Sequence, residues 1–313
     1  MLTFILRRLG AAVVLVVAIA TLTFFLLHLT GGNPARSIVG QSATAAQEAQ
    51  KAAELGLDRP LLAQYWTWLS GLLRGDLGAS WFTGQPVWQT LSNALPVTLS
   101  IVVAGLLLSA VVSVLLGVAA AVRGGWIDRV LQVVAVVGFA VPGFLVALVL
   151  ALFVAVRWGL LPATGYVRFG EDPGAWAQSI ILPAVALAVG AIAATAQQVR
   201  GSMLDVLRRD YVRTLRARGI SERSLLFKHA LRNAAPPALT VLSLQFIGLI
   251  GGAVVVERVF GLSGIGTAAM STASQGDQPV VLGIVVTTVV LIALVNVVID
   301  LAYGWLNPKV RVA

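Results

Sequence analysis

Apolar residues gather along this chain into six long runs that contain no Asp, Glu, Lys or Arg: residues 9–29, 97–121, 130–156, 179–199, 238–256 and 279–299. A helix needs about 20 such residues to cross the hydrocarbon of a bilayer. Only helices and closed barrels satisfy their backbone there, and runs of this length and uniformity belong to helices. The pattern predicts an all-α polytopic membrane protein with six transmembrane helices. Polar and apolar residues mix between the first two runs, which predicts three parts. Residues 1–29 hold a short start and the first helix, 30–96 form a small ordered external subdomain, and 97–313 form a five-helix core.

Arg7 and Arg8 ahead of the first run are also what a secretory signal carries. The run is long for a signal, and Thr30-Gly31-Gly32-Asn33-Pro34 offers no clean small-x-small cleavage site, so an uncleaved helix is expected. The composition agrees, since 58% of residues are hydrophobic and 11% charged, against about 25% charged in a soluble domain. With no cysteine and only His28 and His229, a disulfide framework, a thiolate site and a histidine-built metal centre are all disfavoured.

The net charge of +9 would point to nucleic acid in a soluble protein, but here it reads first as topology. Arg7, Arg8, Arg123, Arg129, nine bases in residues 200–233, Lys309 and Arg311 all fall in alternate loops. The positive-inside rule therefore places both termini and the 200–237 loop in the cytoplasm. No Asp, Glu, Lys or Arg lies inside a run, which argues against a carboxylate proton relay and so against a secondary transporter.

Residues 200–233 carry nine bases and three acids. Met203, Leu204, Leu207, Tyr211 and Leu215 recur at helical spacing between them. Gly219 stands where a left-handed C-terminal cap is expected, after Arg216 and Arg218. Ser221 then suits an N-cap, with Glu222 in the first turn of a second short helix. That helix presents Leu225, Leu226, Ala230 and Leu231 on one side and is expected to stop before Pro236-Pro237. A basic solvated anchor is the plain reading; two short helices displaying apolar and basic residues also fit a docking element.

The string Asp210-Tyr211-Val212-Arg213-Thr214-Leu215-Arg216-Ala217-Arg218-Gly219, followed by His229-Ala230-Leu231-Arg232-Asn233 and Pro236, resembles the EAA loop of ABC-importer permeases in its dipeptide and oligopeptide form. Of the parent pattern only Gly219 is kept, and Leu215 departs from the Ala usual in peptide systems. Leu55-Gly56-Leu57-Asp58-Arg59-Pro60, Gln64-Tyr65, Gly75-Asp76-Leu77-Gly78-Ala79-Ser80 and Pro86-Val87 are similar to the external segment of the B-type permease, and the stretch from Asp277 to Lys309 matches in style. The resemblance implies a type I ABC importer permease of a bacterial inner membrane, importing dipeptides or oligopeptides. It implies pairing with a homologous second permease as a heterodimer, with two cytoplasmic ATPase subunits that carry the ATP and Mg, and with an external solute-binding protein. On this chain it implies no cofactor, no catalysis and no nucleic acid. The same architecture also carries nickel chelates, glutathione or short sugars. The docking surface it implies comprises Arg213, Arg218, Gly219, Ser221, Leu225, Leu226, His229 and Arg232.

Among polar residues inside the runs, Ser109, Ser113, Ser243 and Gln245 are candidates for the pathway; hydrogen-bonded bridges between helices are the competing role for each. Pro142-Gly143 predicts a kink in the third helix. Residues 257–270 hold Phe260, Ser263 and Ile265, which with Trp81 are candidates for an external gate and binding-protein contact. Gly261 to Gly266 has the glycine spacing of a phosphate loop, but Thr267 stands where the lysine belongs. Gly261-Leu262-Ser263-Gly264 also fits an intramembrane serine protease. That enzyme needs a later histidine, and none follows His229. Tyr65, Trp66, Trp68, Trp81 and Trp88 suit either an interfacial aromatic belt or a protein contact.

Overall fold

The computed structural model describes residues 2–30, 32–40 and 42–306, with the backbone alone at 2–9, 30, 305 and 306. Lys309 and Arg311, the Asn307-Pro308 string, Gly31 and the side chains of Arg7 and Arg8 lie outside the described residues. In chain order the helices are α1 (Leu2–Thr30), α2 (Pro34–Val39), α3 (Ala45–Glu54), α4 (Leu61–Leu73), α5 (Val87–Arg123), α6 (Gly125–Ala140) and α7 (Gly143–Val149). After these come α8 (Pro173–Leu207), α9 (Asp210–Ala217), α10 (Glu222–Ser224), α11 (Leu231–Val259), α12 (Ile265–Gln275) and α13 (Gln278–Leu306). Two wider π-helical stretches, Leu150–Arg157 and Leu225–Ala230, follow α7 and α10.

Five helices are long and apolar enough to cross a membrane, and they number six where the bent pair of α6 with Gly143–Arg157 is counted as one span. The expected kink at Pro142 is in fact a break, with the two halves bent by 95°. Proline disfavours the helical region for the residue before it. Val141 accordingly lies at ψ 116° and Pro142 at ψ 136°, and two successive extended residues end α6 outright. The opposite correction applies at Pro236-Pro237, where the expected stop does not occur. The helix runs from Glu222 to Val259 through both prolines. Ala234 and Ala238 on either side are packed in a buried cluster, and such packing upholds proline-containing helices in membranes.

The chain folds as two compact units. The first comprises Thr98–Leu262 and the described residues from Leu294 on. Its centre is α8, which packs on α11, α6 and α7 and is capped by Asp172, whose side chain accepts from the N–H groups of Gly174 and Ala175. Arg200 on α8 grips Asp128 on α6 with two parallel hydrogen bonds, through Nε to Oδ1 and Nη2 to Oδ2. The approach of α5 to α8 uses small residues four apart: Gly105, Ser109, Ser113 and Gly117. A Cβ on Gly105 would lie 3.2 Å from the Ala184 carbonyl, and one on Gly117 2.7 Å from the Val199 Cβ.

The second unit joins the described residues of Leu2–Val97 to Ser263–Ala293. Residues 30–96 thus fold together with α1, α12 and the start of α13. Phe24 and His28 of α1 stack on each other, and Phe24 meets Tyr65 and Trp68 of α4. Thr21 and Tyr65 share a hydrogen bond of 2.8 Å. Tyr65 and Trp68 are therefore packing residues, while Trp66 and Trp88 stay exposed. The side-chain amide of Gln64 donates to the carbonyls of Leu57 and Arg59, which ties the Leu55–Pro60 turn to α4.

Asp277 of this unit is only 2% exposed. Its carboxylate accepts from Ser80 Oγ at 2.5 Å and from the Trp81 N–H at 3.1 Å. Ser80 Oγ in turn accepts from the N–H groups of Phe82 and Thr83, so one hydroxyl organises the whole turn. Asp277→Ala is expected to lower the apparent melting temperature of the purified protein by several degrees, because a buried donor left unmatched costs about 1–3 kcal/mol. Adding Ser80→Ala should cost less than its own single effect; additive losses would show that the two do not act as a pair.

Candidate functional site

The basic loop between α8 and α11 is built by two interruptions. The expected single helix from residue 200 is split, since α8 ends at Leu207 and α9 restarts at Asp210. α9 then ends in a complete left-handed cap. Gly219 lies at φ +75°, its N–H reaches the Arg216 carbonyl and the Ile220 N–H reaches that of Leu215. Ser221 occupies the N-cap of α10 as expected, but its side chain caps nothing. Glu222 instead holds Arg216 across the turn, Oε1 to Nε at 2.7 Å. That hydrogen bond raises the Arg216 guanidinium further above its usual pKa.

Which side of the loop faces outward corrects the sequence expectation. Leu225 is wholly buried, and the half-buried Leu226 packs with Tyr211 and Leu231 against the cluster of Met203, Val206 and Ala230 that roots the loop on α5, α8 and α11. Leu225 thus faces its own chain, and Leu226 is in part covered by it. His229 is half-buried, and its carbonyl accepts from the Asn233 amide, which also reaches Tyr211 Oη. Exposed instead are Arg213, Arg218, Gly219, Ser221 and Arg232, together with Arg223, Phe227 and Lys228, which sequence reasoning passed over. Phe227 is 50% exposed. It lies in the π-helical turn. The exposed side of the loop is thus a basic, glycine-bent ridge with one aromatic ring.

Of the candidate pathway residues, Ser109 and Ser113 are fully buried, each donating to the carbonyl three residues back in α5. They belong to the α5–α8 contact rather than to an open path. Ser243 donates to Asn296 Oδ1 at 2.6 Å, the bridging role. Gln245 lines a cavity of ≈ 370 Å³ between α7, α8 and α11.

Phe260 and Ile265 are also buried, at 2% and 5% exposure, and act as packing instead of contact surface. Ser263 is exposed and Trp81 half-buried. Glu257, expected outside the membrane, is fully buried on α11 and accepts from Thr98 Oγ1 at 2.5 Å. Beside it the Phe260 carbonyl accepts from the Gly165 N–H, and Ser100 binds Tyr166 Oη and Trp176 Nε1. These bonds join α5, the 158–172 loop, α8 and α11 at one end of the first unit.

The profile of the family "Binding-protein-dependent transport system inner membrane component" matches residues 113–312, and that of its N-terminal region matches residues 1–102. The chain is 41% identical over 309 residues to a probable peptide ABC transporter permease protein of Sinorhizobium fredii, covering 98% of this chain and 99% of that one. It is 36% identical over 312 residues to a glutathione transport system permease protein of Salmonella choleraesuis, covering 99% of both. It is 35% identical over 337 residues to the dipeptide transport system permease protein of Escherichia coli, again covering 99% of both.

Proposed function

The chain belongs to the family of binding-protein-dependent transport system inner membrane components, and on that premise we propose that it imports short peptides as one half of an ATP-driven channel. It is an integral membrane permease that works with other components of an ABC transporter. Members of this family are transport components and not enzymes, so Ser263 is given no catalytic role. Peptide cargo is supported by the relatives named for peptide and dipeptide transport. The relative named for glutathione transport supports a cargo of the same chemistry, since glutathione is itself a small peptide.

The observation that carries the mechanism is the construction of the basic loop. Its apolar side is rooted in the bundle, its exposed side is basic, and α10 continues without interruption into the helix that ends at Val259. A force applied at Arg213, Arg218, Gly219, Ser221 and Arg232 would be passed along that helix. The surface fits a cleft on cytoplasmic ATPase subunits, to which ATP and Mg belong. With that loop inside, both termini are cytoplasmic, and residues 30–96 lie outside with Trp81 and Ser263 available to a solute-binding protein. A homologous second permease completes the channel.

Reconstitution tests this. The permease pair, ATPases and binding protein in proteoliposomes should take up a labelled dipeptide only with ATP and binding protein together. Uptake without ATP, or equal uptake without the binding protein, would refute the proposal.

A further inference from the structure

The cavity between α7, α8 and α11 has walls of Gly143 and Phe144, Leu187 and Gly190, and Gly248, with Gln245 its only polar side chain. Three other polar side chains in the spans are satisfied within the chain, Ser243 by Asn296, Gln198 by Ser202 and Gln132 by Asp128, while Thr195 Oγ1 on α8 is buried without a partner and lines no part of this cavity. Among the described residues nothing pairs with the Gln245 side-chain amide. An amide facing an apolar cavity is costly unless something there hydrogen-bonds to it. The break at Val141-Pro142 borders the same cavity. Irregular backbone at membrane depth persists only where protein covers it or where it lines a water-filled space.

We infer that Gln245 pairs with the backbone amide of peptide cargo as it passes this cavity, an assignment that rests on the peptide reading above. A glutamine side chain offers one acceptor and two donors in a plane. The peptide unit offers the complementary C=O and N–H, whatever side chains flank it. Walls of glycine, aliphatic carbon and the Phe144 ring add no charge and no further hydrogen-bonding side chain, so they neither select nor trap a particular sequence. One polar station in an apolar passage thereby holds any short peptide weakly and in the same way.

Two variants test it in the full reconstituted complex. Gln245→Leu keeps similar bulk and loses the amide. Dipeptide uptake per ATP hydrolysed should fall about ten-fold, the worth of one buried hydrogen bond. Binding-protein-stimulated ATP hydrolysis should stay within about two-fold of wild type, and Gln245→Asn should recover part of the uptake. Because the chain has no cysteine, Gln245→Cys gives it a single thiol. In a complex whose other subunits are cysteine-free, that thiol should react with a membrane-impermeant maleimide, and more slowly with saturating dipeptide and binding protein. Unchanged uptake per ATP in Gln245→Leu overturns the assignment, as does an unreactive thiol in a complex that still transports; the second outcome means that the partner permease or lipid covers the cavity. A wild-type complex that takes up no peptide sinks the underlying reading too, which distinguishes the two failures.

Discussion

Gly219→Asp is expected to lower ATP-driven uptake about ten-fold while the permease remains in the membrane at normal levels, since a loss of about 1.4 kcal/mol in docking is a ten-fold effect. No atom lies within 4 Å of where a Cβ at Gly219 would be, so a side chain has room and the penalty is not a clash. At φ +75° any L-residue carries backbone strain, about 1–2 kcal/mol for a typical side chain and less for Asp. The aspartate adds a negative charge at the C-terminus of α9, where the helix dipole is already negative. It also lies beside Arg218, whose charge belongs to the proposed docking surface. Gly219→Ala carries the strain without the charge and should keep uptake within about three-fold of wild type. Uptake and co-purification of the ATPase subunits measured across the three proteins decide the matter. Wild-type values in the aspartate variant would remove the loop from the coupling path.

The spans were legible because charge-free length is a one-dimensional property, and each apolar run lies inside a helix of the structure or, for the third, inside the bent pair. Helix ends were less legible. α5 begins ten residues ahead of its apolar run, at Val87, and continues through Pro96. Proline misled in both directions for one physical reason: its local penalty of about 3 kcal/mol is modest beside the packing around it. At Pro236-Pro237 buried alanines keep the helix together, whereas at Pro142 the break borders a cavity. The Gly219 cap was visible because only glycine takes that conformation easily. The direction of the loop's apolar face was not visible, because periodicity shows that Leu225, Leu226, Ala230 and Leu231 share a side without telling what that side meets. Pairs such as Ser80 with Asp277 and Thr98 with Glu257 join residues 197 and 159 positions apart, beyond the reach of any local pattern. The stripe Gly105, Ser109, Ser113, Gly117 was within reach. Its four-residue spacing is a helix-packing signal, and it reassigns both serines from pathway to contact.

That stripe supports the largest stability effect expected in the chain. Gly117→Val should leave little folded permease, because even the first added carbon would lie 2.7 Å from the Val199 Cβ and 2.8 Å from the Ala196 carbonyl oxygen. Val199 is 1% and Ala196 1% exposed, so neither can swing aside into solvent. Overpacking of this kind costs about 1–3 kcal/mol for a single methylene where neighbours give. Here the opposing atoms include backbone of α8, the central helix of the unit, and valine adds three carbons. To accommodate them α5 must move off α8, opening the buried cluster of Val118, Val199 and Met203 that also roots the basic loop. Loss of fold and loss of coupling should therefore appear together, as a drop in monodisperse protein on size exclusion and in the apparent melting temperature. Gly201→Ala on the same α8 is the control. Nothing lies within 4 Å of its added methyl group, so helix propensity alone acts and the variant should match or exceed wild-type stability by up to about 1 kcal/mol. If Gly117→Val is as stable as Gly201→Ala, α5 and α8 do not meet at this contact, and the root assigned to the loop is lost with it.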